Sequence, residues 1–198
     1  MAENKPKEIR HREILDAAAR CFAEKGYLGT SIDDICLRAG LTKGGLYWHF
    51  KSKRQIIEDL LEYQCARWQG EWDRLNMVEI TDTVIYDAGL LFIENNIAAP
   101  DKVKLYGMLE AEAARDPSIL EMIKASREAL LKNITFFSKR VLEFYGNTKT
   151  DPDVLARLLE IQISGIIKSF VFFDAEGDPE TEWRACYELI KAGIKGKE

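Results

Sequence analysis

The sequence predicts an all-α protein: a three-helix, helix-turn-helix head over residues 1 to 54, with the turn motif at about 31 to 50, followed by a helical bundle over residues 55 to 198. Three observations carry this. Apolar residues recur at spacings of three and four, as in Ile14, Leu15, Ala18 and Phe22, which is the period of a helix with one buried face. Asp-Pro pairs at 116–117, 151–152 and 178–179 put a capping carboxylate before a ring whose fixed φ suits the first helical turn. The alternating runs and Asn-Gly turns that mark strand hairpins are absent, as are internal repeats.

Each element follows in order. Residues 1 to 7 read as a basic tail, and the first helix then runs to Gly26. Ser31 with Asp34 three residues on has the spacing of a capping box, opening a second helix that buries Ile32, Ile35 and Ala39. Gly40 supplies the positive φ of a helix end, Leu41 plugs the core, and Thr42 caps a third helix of about Thr42 to His49. Leu46 and Phe50, four apart, belong to the core. Ser52 and Gln55 form a second capping-box pattern, opening a connector helix that carries Ile56, Ile57, Leu60, Leu61 and Tyr63. A connector that is helical is stiff enough to transmit a displacement, as a Gly/Ser linker is not. The body then reads as helices near 83–98, 101–115, 117–145, 152–173 and 179–194.

The third helix concentrates the chemistry. It spans only about 10 Å at 1.5 Å per residue, so the side chains at its start, Thr42, Lys43 and Gly44, are the ones that can read base edges in a major groove. Gly44 and Gly45 each cost roughly 1 kcal/mol of helix stability relative to Ala, which makes sense where a backbone must approach DNA closely. Tyr47, Trp48, His49, Lys51 and Lys53 follow as a dense set of donors suited to phosphate oxygens, and Ser31 joins them from the start of the second helix.

At these residues the chain resembles the TetR family of one-component transcriptional regulators. The pattern matches at Ser31, Ile35, Ala39, Gly40, Thr42, Gly44, Tyr47, His49, Phe50 and Lys53, and departs at Cys36, where Ala is usual, and at Gly45, where a small residue with a β-carbon is common. The resemblance covers about the first quarter of the chain. It implies an amino-terminal DNA-binding domain, a carboxy-terminal ligand-binding and dimerisation domain, and a homodimer built from the last two helices. It also implies that a small molecule bound in the body spreads the two heads off the half-sites of their operator.

Charge divides the chain in the same way. Residues 1 to 54 hold 11 Lys and Arg against 7 Asp and Glu, a net of +4, and the remainder holds 17 against 26, a net of −9. With an overall charge of −5, only the basic end can face phosphates. The last two predicted helices carry more apolar surface than one bundle easily hides, which favours a dimer; Leu158, Gly165, Ile166, Phe170, Trp183, Tyr187 and Ile190 are the expected contacts. Two reading helices about 34 Å apart then grip a palindrome in duplex DNA. Candidate ligand-binding residues are Gln64, Trp68, Trp72, Phe92, Tyr106, Glu110, Asn133, Phe137 and Gln162, bulky aromatics and polar groups beside apolar stretches.

Other classes fare worse. With two histidines, His11 and His49, the chain offers no metal-ligand cluster, no nucleophile-base pair and no catalytic residue to name, so neither an enzyme nor a metal or other cofactor is expected. Cys21, Cys36, Cys65 and Cys186 lack CxxC spacing and read as packed thiols. No signal-peptide core is present, and the apolar run from Ile161 to Phe173 is interrupted by Lys168 and too short for a bilayer; the expectation is a cytoplasmic protein without a membrane partner. The function expected is thus a homodimeric repressor released from a palindromic operator by a small-molecule effector. The alternative is a DNA-bound adaptor or activator of the same fold that recruits another protein and senses no metabolite.

Overall fold

The computed structural model describes residues 6–195, apart from the side chains of residues 64, 65, 67 and 68. Nine helices follow one another among the described residues: α1 (Lys7–Gly29), α2 (Ile32–Ala39), α3 (Lys43–His49), α4 (Lys53–Asn76), α5 (Asp82–Ile97), α6 (Pro100–Ala113), α7 (Pro117–Phe144), α8 (Pro152–Phe172) and α9 (Pro179–Ile194). They contain no strand, so the all-helical expectation holds.

The ends of these helices obey the local chemistry. Ser31 Oγ accepts from the Asp34 N–H at 3.1 Å while the Asp34 carboxylate accepts from the Ser31 N–H at 2.8 Å, a complete capping box. Gly40 ends α2 at φ 65°, left-handed as expected. At Ser52 only half the expected box forms: its hydroxyl accepts from the Gln55 N–H at 3.1 Å, but the Gln55 side chain reaches one residue further back, to the Lys51 N–H at 2.7 Å. The Asp-Pro signals all mark helix starts, with Asp116, Asp151 and Asp178 accepting from the backbone N–H groups of Ser118, Asp153 and Glu180. The first helix does not simply stop at Gly26. That glycine kinks the chain at φ 73°, and the helical path resumes to Gly29. Thr30, whose side chain is buried, closes the turn by directing its hydroxyl toward the carbonyls of Gly26 at 2.7 Å and Cys21 at 3.0 Å.

The chain divides into two compact units. The first comprises the chain up to Gln64 together with Lys104–Lys124, and the second Cys65–Val103 with the chain from Ala125 onward. The boundary expected at residue 54 is therefore not where packing changes. The first turns of α4 bury Ile56, Ile57, Leu60 and Leu61 against Ile14, Leu15, Phe22, Ile35, Leu46 and Phe50, and Leu105, Leu109 and Ile119 complete this core. Helices as short as α2 and α3 cannot persist alone. Full burial of each such side chain contributes about 1.5–3 kcal/mol, which is what holds them.

The second unit packs α5, α7, α8 and α9 around Ile93, Phe137, Val141, Leu155, Ile166, Ile167, Trp183 and Tyr187. Trp183, 1% exposed, lies directly over Gly89, where a β-carbon would collide with the indole, and its Nε1–H donates to the Tyr86 carbonyl at 2.9 Å. This corrects part of the expected partner face. Ile166, Trp183 and Tyr187 are buried by their own chain, Phe170 and Ile190 are half-buried, and Leu158 and Gly165 are exposed.

Candidate nucleic-acid interface

Thr42 sets the position of α3. Its side chain accepts from the Gly45 N–H at 3.2 Å, and its own backbone is extended, so the chain turns from Leu41 directly into the helix. Leu46 and Phe50 anchor the inner face with no exposure at all. The outer face is thereby fixed: Thr42, Lys43, Gly44, Tyr47 and Trp48 all stand in solvent. Tyr47 and Trp48 are exposed although large and aromatic, and a protein does not gain stability by leaving such rings in water.

The two glycines differ in a way that the sequence could not reveal. Neither has the positive φ that would require glycine. A β-carbon on Gly45 would rest in ordinary contact with Thr42 Oγ1 at 3.5 Å and Leu41 Cδ2 at 3.6 Å, whereas one on Gly44 would meet only Thr42 Oγ1 at 4.0 Å and otherwise open space. Among the described residues no packing calls for glycine at residue 44.

The remaining expected phosphate contacts divide. Ser31 and Lys51 are exposed, Ser31 with its hydroxyl engaged in the α2 cap. Lys53 is a correction. Its Nζ donates to the carbonyls of Tyr27 at 2.6 Å and Thr30 at 2.8 Å and lies 4.4 Å from the Tyr27 ring centroid, and burial pushes its pKa down. This ammonium ties the end of α1 to the start of α4. His49 is half-buried and its Nδ1 is enclosed without a hydrogen-bond partner; burial pushes its pKa down, with help from His11, Lys7 and Arg10. The imidazole stands edge-on to Trp48 at 4.7 Å.

Three features of this surface were not anticipated. Lys43 Nζ lies 3.0 Å from Asp33 on α2. Lys7, read as part of a loose tail, begins α1 and holds its ammonium 5.1 Å from the Trp48 ring centroid. Ion pairs from Lys25 to Asp34 and from Arg38 to Glu24 bind α2 to α1. The Lys25 bond, with the two Ser31 contacts, holds the Asp34 carboxyl well below the usual carboxylate range. Charge partners between helices leave no signal in spacing, because they join residues far apart in sequence.

The candidate ligand residues do not form one group. Tyr106 and Glu110 belong to the first unit, and Trp72, Phe92, Asn133, Phe137 and Gln162 to the second; Gln64 and Trp68 lie outside the described side chains. Glu110 and Gln162 are on the surface, and Gln162 accepts from the Cys186 thiol at 3.5 Å. Trp72 packs on the buried Phe137 with ring centroids 6.1 Å apart, and Asn133 donates to Gln69 at 3.0 Å. Cys21 and Cys36 are buried free thiols with pKa values pushed up by burial, the opposite of what a reactive thiolate needs; Cys65 lies outside the described side chains. Among the described residues no group of metal-binding side chains occurs and no helix is long and apolar enough to cross a membrane.

Comparison with known proteins bears on this surface. Residues 14–60 match the family model "Bacterial regulatory proteins, tetR family". A 75-residue stretch is 43% identical to the HTH-type transcriptional repressor KstR2 of Mycolicibacterium smegmatis, covering 35% of this chain and 37% of that protein. The chain thus spans little more than a third of that relative's length. A TetR-family transcriptional regulator from Mesorhizobium loti superposes with a TM-score of 0.77 at 21% identity, over 96% of this chain and 98% of that one. A transcriptional regulator from Saccharomonospora viridis, solved in complex with choline, superposes with a TM-score of 0.74 at 19% identity, over 94% and 97%. The similarity in sequence is concentrated on the head, and the similarity in fold extends over the body.

Proposed function

We propose, from the match of residues 14–60 to the tetR family of bacterial regulatory proteins, that this chain is a member of that family and a homodimeric transcriptional repressor that leaves a palindromic operator when a small molecule binds its body. The observation that carries the DNA-binding part is Gly44. A helical glycine that neither backbone conformation nor packing demands is explained by close approach of a surface outside the chain. Around it, Lys43 and Thr42 read base edges, and Tyr47, Trp48, Lys51 and Ser31 meet the sugar-phosphate backbone. Lys53 holds the head together from within rather than touching phosphate.

The dimer forms through α8 and α9. Leu158, Ile161, Gly165 and Phe172 are exposed along one stripe of α8, and Leu189 is exposed on α9, the helix packed beside it. Two such faces bury each other as an isologous interface. The effector is a small molecule without a negative charge, held in the second unit near Trp72 and Phe137, with Asn133 and Gln69 as neutral hydrogen-bonding groups. The choline bound by the Saccharomonospora protein is a precedent for such a ligand in this fold.

The test begins with selection of duplexes from a random library by the purified protein. A palindrome with half-sites about one helical turn apart should emerge. Lys43→Ala should then relax preference at one or two base pairs by about 1–3 kcal/mol, and Tyr47→Ala should weaken selected and scrambled duplexes alike. Enrichment of no sequence at low salt would overturn the reading.

A further inference from the structure

We propose that Asp33 is a positioning residue for DNA discrimination, acting through Lys43: it holds the ammonium of the reading helix where a base edge can share it and keeps it off phosphates. The inference rests on the reading of α3 given above. Lys43 Nζ lies 3.0 Å from Asp33 Oδ2, and the two side chains are 60% and 66% exposed, so water screens the pair and it opens readily.

Asp33 takes no part in the cap of α2, although it lies in the first turn of that helix. The cap of α2 is complete without it, because Ser31 Oγ accepts from the Asp34 N–H and Asp34 accepts from the Ser31 N–H and hydroxyl. Asp34 also pairs with Lys25, so the neighbouring carboxylates face different partners. The charge of Asp33 instead keeps the Lys43 pKa raised, chiefly through their hydrogen bond.

The consequence concerns the difference between right and wrong DNA. On a random duplex Lys43 finds only phosphate oxygens. Leaving Asp33 for one of them exchanges one anionic partner for another and brings the freed carboxylate toward a polyanion, which is repulsive. On the selected site two of the three ammonium N–H groups of Lys43 take a guanine O6 and N7 while the third stays on Asp33, so the pair does not have to open there. The carboxylate therefore weakens non-specific binding more than specific binding, and the ratio between them rises.

The test uses the full chain with two duplexes of equal length, one selected by the protein from a random library and one scrambled, titrated between 50 and 300 mM salt, which is roughly the range over which counterion release is read. Asp33→Asn should tighten the scrambled duplex about 3- to 10-fold and steepen its log-log salt slope by about one per head, while the selected duplex changes by about twofold or less. Asp33→Glu should restore the wild-type ratio. In a Lys43→Ala background Asp33→Asn should tighten both duplexes by the same factor, through loss of its own repulsion, and leave their ratio unchanged, an outcome that a merely structural role for Asp33 would not give. Unaltered thermal melting of Asp33→Asn establishes that the head is intact. An unchanged ratio and slope in Asp33→Asn, with Lys43→Ala still relaxing the selected site, overturns the role of Asp33 alone. Lys43→Ala indistinguishable from wild type on both duplexes overturns the reading of α3 and this proposal together.

Discussion

At the scale of single residues, the motif identifies which side chains belong to the head but not which way each one points. Lys53 is the clearest case. As the last position of the Tyr-x-His-Phe-x-x-Lys pattern it reads as a phosphate contact, yet its Nζ is bound to two carbonyls and a ring of its own chain. Lys53→Met keeps the stem over Tyr27 and removes the donors, leaving two carbonyls short of a partner; the head should lose about 1–3 kcal/mol of stability while the salt slope of DNA binding stays unchanged. Thermal melting and salt titration together check this, and a slope reduced by about one would return Lys53 to the phosphates. His49 gives a pH dependence of definite sign. Its folded pKa lies below the unfolded value because burial disfavours the cation, so on acidification the unfolded chain takes up the proton first. The stability it contributes is complete above about pH 6.5 and is lost as pH falls below that value. The melting temperature of the wild type should therefore drop between pH 7 and 5.5 more than that of His49→Gln, and parallel curves would refute it. Asp59, whose pKa burial raises, acts in the opposite direction, and it is present in both proteins compared.

At the scale of elements, the helix starts were legible because caps are local. Asp116, Asp151, Asp178 and Ser31 each announce a helix within three residues, and all four do so here. The kink at Gly26 and the Thr30 closure were not, since they depend on carbonyls supplied by the preceding helix. The glycine pair in α3 was legible as a cost but not as a distinction between its members. Gly44→Ala and Gly45→Ala should both stabilise the head, by up to about 1 kcal/mol each in thermal melting. Only Gly44→Ala should weaken binding to the selected duplex, by about tenfold, the worth of one good base contact; equal affinities for the two variants would remove the argument from open space. Gly89 in α5 behaves oppositely. Ordinarily alanine favours a helix, but here its β-carbon would drive into the Trp183 ring, so Gly89→Ala should destabilise the second unit by about 1–3 kcal/mol, as overpacking does.

At the scale of the whole molecule, periodicity says that a face is buried without saying by what. The α9 stripe of Trp183, Tyr187 and Ile194 has the same spacing that a partner face would have, yet the chain's own α5, α7 and α8 cover it. What distinguishes a partner face is apolar surface left over after the chain has packed, and on the proposed α8–α9 face it includes Ile161, 58% exposed, and Leu158, 47%. About half of each side chain is in water, so charge there disrupts little intramolecular packing and its main effect falls on association. In the folded monomer Ile161→Glu leaves the carboxylate in water; across an isologous interface the same carboxylate would be buried, and near its symmetry mate if it lies close to the dyad. The variant should thus melt like the wild type at low concentration, sediment as a monomer where the wild type is a dimer, and bind a palindromic duplex no more tightly than a single half-site. Two heads held by one body bind the second half-site at high effective concentration, so losing the dimer should cost about 10²- to 10⁴-fold in affinity for the full site. A variant that stays dimeric, or a wild type that is monomeric and still grips both half-sites, would move the interface away from α8.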